Sequence, residues 1–165
     1  MASSRTRAAL GSVAFGVLVP GVVAGLVPYV LTGWEPSAAD SPWDELRLLG
    51  AFPIAAGLAA LIAGFARFVG EGTGTPAPLA PTEQVVVGGI YRWVRNPMYL
   101  AVEAIILGQA LLFLSPILVG YGALFAVVVF TFVRRYEEPT LRRRFGPGYE
   151  QYLESVPGWW PRRPR

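Results

Sequence analysis

The sequence has 165 residues, of which 53% are hydrophobic and 15% charged, and its mean hydropathy is +0.45. A chain this apolar is poorly matched to a soluble domain and is typical of an integral membrane protein. All fourteen basic residues are arginine, and the sequence has no histidine or cysteine. This composition excludes disulfides, thiol nucleophiles and metal sites built from histidine or cysteine. Any chemistry therefore depends on carboxylates, arginines, tyrosines or a cofactor.

Four apolar stretches follow one another along the chain, and each predicts a transmembrane helix, since a hydrocarbon core of about 30 Å takes roughly 20 helical residues. The first stretch, residues 8–32, exceeds the core of a signal peptide and contains two prolines, so we interpret it as a retained, kinked span. The other predicted spans cover residues 46–69, 98–114 and 117–133. The sequence thus predicts an all-α integral membrane protein with about four spans, a C-terminal helical hairpin and one domain over residues 1–165.

The arginines predict the orientation of these spans. The connector at residues 33–45 carries only acidic charges, whereas arginines precede the first span, lie at Arg92 and Arg95, and recur in the tail, residues 134–165. By the positive-inside rule both termini are cytoplasmic. The basic residues gather at the ends of apolar stretches, which favours membrane orientation over nucleic-acid binding. We expect the tail to be a short amphipathic helix followed by an interfacial segment that covers a cytoplasmic site.

A polar cluster marks the start of the third span. Asn96 and Pro97 are explained by a helix start, since asparagine is favoured at the N-cap and proline at the first position of a helix. A helix start does not explain why Tyr91, Arg95 and Tyr99 lie beside it. Anchoring at the membrane interface accounts for part of this surplus, and a binding site is the alternative.

Two adjacent carboxylates, Glu137 and Glu138, follow the last span directly after Arg134 and Arg135. One interpretation is a solvated ion-pair cluster. The other is a site mouth that binds a cationic or polyhydroxyl ligand, for instance an α-ammonium group, a sulfonium or a ribose diol. The predicted orientation places this pair on the same membrane face as residues 88–99, so both clusters can belong to one site.

Glu103 is an ionisable residue one turn inside the third predicted span, where insertion costs about 2.5–3.5 kcal/mol. The favoured interpretation is that it pairs with an arginine near the interface. The alternative is that it lines a cofactor or acceptor pocket, and it is then a candidate for the catalytic base. The sequence leaves the catalytic residue unknown.

Two motifs resemble those of one enzyme family. "GGIYRWVRNPMYL" is similar to the pattern G-x-Y-x-x-x-R-[HN]-P-x-Y, and "YEEPTLRRRFGPGYEQYLESVPGWWP" to the tail E-E-x-x-L-x-x-x-F-G-x-x-Y-x-x-Y-x-x-x-V-P. Both patterns are those of membrane methyltransferases of the isoprenylcysteine carboxyl methyltransferase and phospholipid methyltransferase type. The match covers residues 74–161.

The resemblance implies a bundle of membrane helices whose cytoplasmic ends and tail enclose S-adenosylmethionine, with a lipid-like or hydrophobic acceptor reaching it from the bilayer. We expect no metal at this site and a location in a bacterial plasma membrane. Asn96 stands where many carboxyl methyltransferases have histidine, while phospholipid N-methyltransferases share the N-P-M-Y form. The residues that the resemblance places around the cofactor are Tyr91, Arg95, Asn96, Pro97, Tyr99, Glu137 and Glu138.

Two rival functions stay open at the level of sequence. Membrane sterol reductases share a similar C-terminal pattern, and Arg142, Arg143 and Arg144 could bind the extra phosphate of NADPH. A small four-helix transporter is the non-enzymatic alternative, in which Glu103 would be the coupling group.

Overall fold

The computed structural model describes residues 18–36, 44–71 and 85–163, and the regular structure within these ranges is helical. The start of the first predicted span and the Pro/Gly/Thr-rich loop before residue 85 lie outside the described residues. Short 3-10 turns occur at Leu48–Gly50 and Gly89–Arg92. The helices are α1 Leu18–Thr32, α2 Asp44–Arg47, α3 Ala51–Glu71, α4 Pro97–Leu112, α5 Pro116–Phe132, α6 Glu138–Phe145 and α7 Pro147–Ser155.

Two helical stretches, Glu45–Arg67 and Pro116–Phe145, are long and apolar enough to cross a membrane, and α1 and α4 are shorter apolar helices. Only 22% of each long apolar window is buried inside the protein, whereas the core helix of a soluble protein would be mostly buried. Large apolar side chains instead face outward, including Phe52 at 82% exposure and Ile62 at 70%. This fits an integral membrane protein. The arrangement of four spans stays a prediction.

The four apolar helices run in alternating directions. Gly64, late in α3, lies close to Met98 at the start of α4, whereas Gly50, just before α3, lies close to Leu112 at the end of α4. The turn between α4 and α5 reverses the chain again, as the predicted hairpin requires. The end of the bundle where α4 begins and α5 ends is called the polar end below.

Glycines allow α3 and α4 to approach closely. A Cβ placed on Gly57 would lie 2.6 Å from the carbonyl oxygen of Ala101, and one on Gly108 would lie 2.7 Å from Cγ1 of Ile54. Small residues at such crossings let two backbones touch, which is how helices associate in lipid without a hydrophobic driving force. The seven-residue spacing of Gly50, Gly57 and Gly64 is the sequence signal for this close contact.

Polar side chains from α4 and α5 hold α1 in place. Residues Val22–Leu26 form a π turn, in which the backbone hydrogen bonds shift register. The side-chain amide of Gln109 donates to the carbonyl of Ala24 at 2.7 Å, and the Tyr121 hydroxyl donates to the carbonyl of Val23 at 2.8 Å. The Trp34 indole N–H donates to the Gln109 side-chain oxygen at 3.1 Å. Gln109 thus joins α1, its following loop and α4.

Arg47 lies at the opposite end of the bundle from the polar end. Its Nε donates to the carbonyl of Leu112 at 3.0 Å. Arg47 lies at the start of the second predicted span and was not among the arginines that predicted the orientation. Its contact with the end of α4 gives it a structural role there, because a carbonyl in the last turn of a helix has no intrahelical partner.

The tail contains two short helices instead of the one predicted. The chain leaves α5 through a π turn, Val133–Glu137, and passes directly into α6. Gly146 then separates α6 from α7 with φ 54° and ψ −132°, a conformation that only glycine adopts readily. A small cluster of Tyr149, Tyr152 and Val156 packs against Phe145 and other apolar residues. The tail therefore has a core of its own at the polar end.

Candidate active site

Two side-chain pairs connect the start of α4 with the end of α5. The Tyr99 hydroxyl donates a hydrogen bond of 2.8 Å to Oε2 of Glu137, and Nη2 of Arg95 lies 3.2 Å from Oε1 of Glu138. The Arg95 and Glu138 side chains are 15% and 19% exposed, so their ion pair is shielded compared with a solvated surface pair. The two clusters singled out in the sequence thus meet at the polar end.

The tail lies across the segment that precedes α4. The backbone N–H of Arg95 donates to the carbonyl of Pro157 at 2.9 Å, and the N–H of Arg162 donates to the carbonyl of Trp93 at 3.0 Å. From α7, the Tyr152 hydroxyl donates to the carbonyl of Tyr91 at 2.8 Å. These bonds fix the last described residues against residues 91–96.

Asn96 holds the tail rather than capping α4 with its side chain. It occupies the N-cap position, but its side chain makes no capping hydrogen bond. Its amide Nδ2 donates instead to the carbonyl of Gly158 at 3.0 Å, and its backbone N–H reaches the same oxygen at 3.3 Å. Gly158 fits closely, since a Cβ there would lie 3.0 Å from Nη2 of Arg95. Asn96 is 8% exposed, and Pro97 is also buried.

The tyrosines of the tail and of the segment before α4 are held in their neutral form. Burial raises the pKa of Tyr91, Tyr149 and Tyr152, and for Tyr149 it reaches about 12, with the nearby Glu138 carboxylate adding to the effect of burial. Removing a phenol from water disfavours the charged phenolate. These three hydroxyls therefore stay protonated at neutral pH, and that of Tyr152 donates to the carbonyl of Tyr91.

Two atoms of the polar cluster keep unused hydrogen-bonding capacity among the described residues. Nε of Arg95 is buried without a partner, while the other guanidinium nitrogens contact Glu138 and the carbonyl of Leu153. Glu137 accepts one bond from Tyr99 through Oε2, which leaves Oε1 available. A guanidinium donor and a carboxylate acceptor thus lie within one cluster.

An apolar groove of about 360 Å³ opens beside this cluster, between α4, α5 and the tail. Tyr99 and Glu103 line it from α4, Phe125 and Phe130 from α5, and Trp159 from the tail. Trp159 also contacts the ring of Phe130, with 5.7 Å between ring centroids. Trp159 was not among the predicted site residues, although it lies within the tail stretch that resembles the family, two residues after the Val-Pro pair that ends the pattern.

Glu103 has no arginine partner among the described residues, so the favoured sequence interpretation of an ion pair is wrong there. Its Oε2 is buried and makes no hydrogen bond to any described residue. A Cβ placed on the facing Gly122 of α5 would lie 3.1 Å from its Oε1. The carboxylate therefore faces the groove and α5.

The three consecutive arginines of α6 are exposed on the outer side of the tail. Arg142 pairs with Glu150 at 3.6 Å, and Arg143 lies 3.5 Å from the Thr140 hydroxyl. The guanidinium of Arg144 lies over the ring of Phe145, 5.4 Å from its centroid. These arginines lie on the surface of the tail.

The described residues form a helical membrane protein with a shielded polar cluster at one end, against which residues of the tail pack. The profile of the phospholipid methyltransferase family matches residues 46–148, more than half of the chain. The chain therefore belongs to the phospholipid methyltransferase family and is a membrane methyltransferase, which confirms the resemblance read from the two motifs. No curated protein and no solved structure matches it.

Proposed function

We propose that the protein transfers a methyl group from S-adenosylmethionine to a lipid-like or hydrophobic acceptor at the cytoplasmic face of the membrane. The observation that carries the proposal is the meeting of the two sequence motifs in the Tyr99–Glu137 and Arg95–Glu138 pairs, directly beside an apolar groove. The arginine-rich flanks support the cytoplasmic side.

The polar cluster suits the amino-acid end of S-adenosylmethionine. That end carries a carboxylate and an ammonium group, and the cluster holds one buried guanidinium N–H and one carboxylate oxygen without partners among the described residues. Arg95 and Glu137 are thus the proposed binding groups, with Glu138 positioning Arg95 and Tyr99 positioning Glu137. Tyr91, Asn96 and Pro97 complete the proposed site, where Asn96 fixes the tail that covers it.

The cofactor would supply an electrophilic methyl group, so the protein has mainly to position the acceptor. The apolar groove suits an acceptor with a hydrocarbon tail, whose reactive head would lie near Tyr99 at the polar end. A carboxylate acceptor would need no base. An amine acceptor would have to lose a proton, and the chain offers no histidine for that step.

Cofactor binding to the purified protein in detergent tests the proposal. Saturable binding of S-adenosylmethionine, without binding of NADPH, is expected in a calorimetric titration. Glu137→Gln keeps the shape of the side chain and removes its charge, and should weaken this binding by about 1–3 kcal/mol. Glu154→Gln, on the exposed face of α7, is the matched control and should bind as the wild type does.

The acceptor class is tested with membranes that contain the protein and radiolabelled S-adenosylmethionine. Label that depends on the protein and extracts into organic solvent supports a lipid-like acceptor. Label found only in water-soluble molecules would contradict it. Binding of NADPH in place of S-adenosylmethionine would favour a reductase, and binding of neither would reopen the transporter hypothesis.

A further inference from the structure

We propose that Glu103 binds the ammonium head of an amphiphilic amine acceptor and takes its proton. This inference rests on the proposed function, because it assigns a residue and a head-group chemistry to the acceptor groove. Glu103 lies outside both sequence motifs. The sequence offered it as a candidate base, and the structure adds its place in the groove and its lack of a hydrogen-bond partner for Oε2 among the described residues.

The position of Glu103 connects the groove with the polar cluster. Residues four apart lie on the same face of a helix, and Glu103 follows Tyr99 by four. Both side chains line the groove, and the Tyr99 hydroxyl donates a hydrogen bond to Glu137 in the polar cluster. A head group at Glu103 would thus lie about one helical turn, roughly 5–6 Å along the axis, from the proposed cofactor site.

The carboxylate of Glu103 needs a partner that the described residues do not provide. Its Oε2 is buried without a hydrogen bond, and neither α4 nor α5 contains a basic residue. The hydroxyl of Tyr121, a neighbour on α5, donates to the carbonyl of Val23 instead. A partly buried carboxylate with one oxygen lacking any partner is costly in an apolar groove, and an ammonium group that enters the groove would satisfy it.

The other residues that line the groove favour a ligand with a hydrocarbon chain. Apart from Glu103, its lining is supplied mostly by apolar and aromatic side chains, among them Phe125, Phe130 and Trp159. Gly122 leaves room for the carboxylate against α5, since any side chain there would meet Oε1. A hydrocarbon chain among the aromatic rings with a cationic head at the carboxylate is therefore the complementary occupant.

The proton transfer balances in charge and atoms. One N–H bond of the ammonium breaks, the proton joins a carboxylate oxygen of Glu103, and the bonding electron pair stays on nitrogen as a lone pair. The cation and the carboxylate become a neutral amine and a neutral carboxylic acid. The amine is then the nucleophile that can receive a methyl group, and Glu103 later returns its proton to water.

Binding of matched probes without cofactor tests the inference. Dodecylamine and dodecanol share one alkyl chain and differ in the head group. They are titrated calorimetrically into the full-length protein in nonionic detergent, with protein-free micelles subtracted. The wild type should bind dodecylamine about tenfold or more tightly than dodecanol, as expected for a charge-assisted hydrogen bond.

The variants separate this role from a structural one. Glu103→Gln should lower the affinity for dodecylamine to that for dodecanol and leave dodecanol binding and S-adenosylmethionine binding unchanged. Glu103→Asp, which retains the charge, should keep part of the preference, and Glu154→Gln should keep all of it. Equal binding of the two probes by the wild type, an unchanged preference in Glu103→Gln, or an equal loss for both probes would each overturn the inference. Failure of the wild type to bind S-adenosylmethionine would instead overturn the proposed function.

Discussion

Replacing Asn96 by alanine tests how the tail is held over the candidate active site. The substitution removes the 3.0 Å hydrogen bond from Nδ2 to the carbonyl of Gly158. That carbonyl keeps the backbone N–H of Asn96 at 3.3 Å, so it is not left without a donor. The cost is therefore one neutral hydrogen bond, about 1 kcal/mol, and not the larger penalty of an unsatisfied buried carbonyl.

Hydrogen exchange at the tail gives a direct measurement of this cost. A loss of about 1 kcal/mol should raise the exchange rate of the amides in residues 156–163 by about fivefold, including that of Arg162, whose N–H is bonded to Trp93. Asn96→Asp should have a larger effect, because a carboxylate cannot donate and would face a carbonyl oxygen.

Ser155→Ala is the matched control, since it removes a hydrogen bond within α7 that does not connect the tail to Asn96. Exchange in this control should stay at the wild-type rate. Wild-type exchange in Asn96→Ala would refute the assignment of Asn96 to tail docking. So would an equal acceleration over the whole chain, which would indicate general destabilisation.

Two further predictions concern the bundle and its orientation. Gln109→Leu removes the bonds to Ala24 and Trp34 and should lower the free energy of unfolding in mixed micelles by about 1–3 kcal/mol, whereas Gln151→Leu on the exposed face of α7 should change it little. An unaffected Gln109→Leu variant would argue against a role of this residue in holding α1. A topology reporter fused after Arg165 should stay cytoplasmic, and one inserted at Ala39 should be exported. The reverse pattern would place the site on the other side of the membrane.

The family and the local elements were predictable from sequence because they depend on short-range signals. The apolar stretches gave the approximate bounds of α3, α4 and α5, since hydrophobic runs must match the membrane thickness. The spacing of Arg95, Asn96, Pro97 and Tyr99 carried the family resemblance. The composition also showed that neither histidine nor cysteine takes part in the chemistry.

Other features depend on which helices meet, and no local pattern contains that information. The bonds of Gln109 to Ala24 and Trp34 follow from packing between segments far apart in the chain. Asn96 shows the difference clearly. Its N-cap position was read correctly, but its side chain bonds to Gly158 because the tail supplies a carbonyl there.

The sequence by itself determined the apolar character, the polar motifs and their order. The tertiary structure decided the partner of each polar group. Glu137 and Glu138 were equivalent in sequence, yet one accepts a hydrogen bond from Tyr99 and the other pairs with Arg95. Glu103 was expected to find an arginine, but α4 places its carboxylate toward the groove and the small face of α5. A buried charge takes its role from the groups within a few ångströms, and only the packing of the helices fixes those distances.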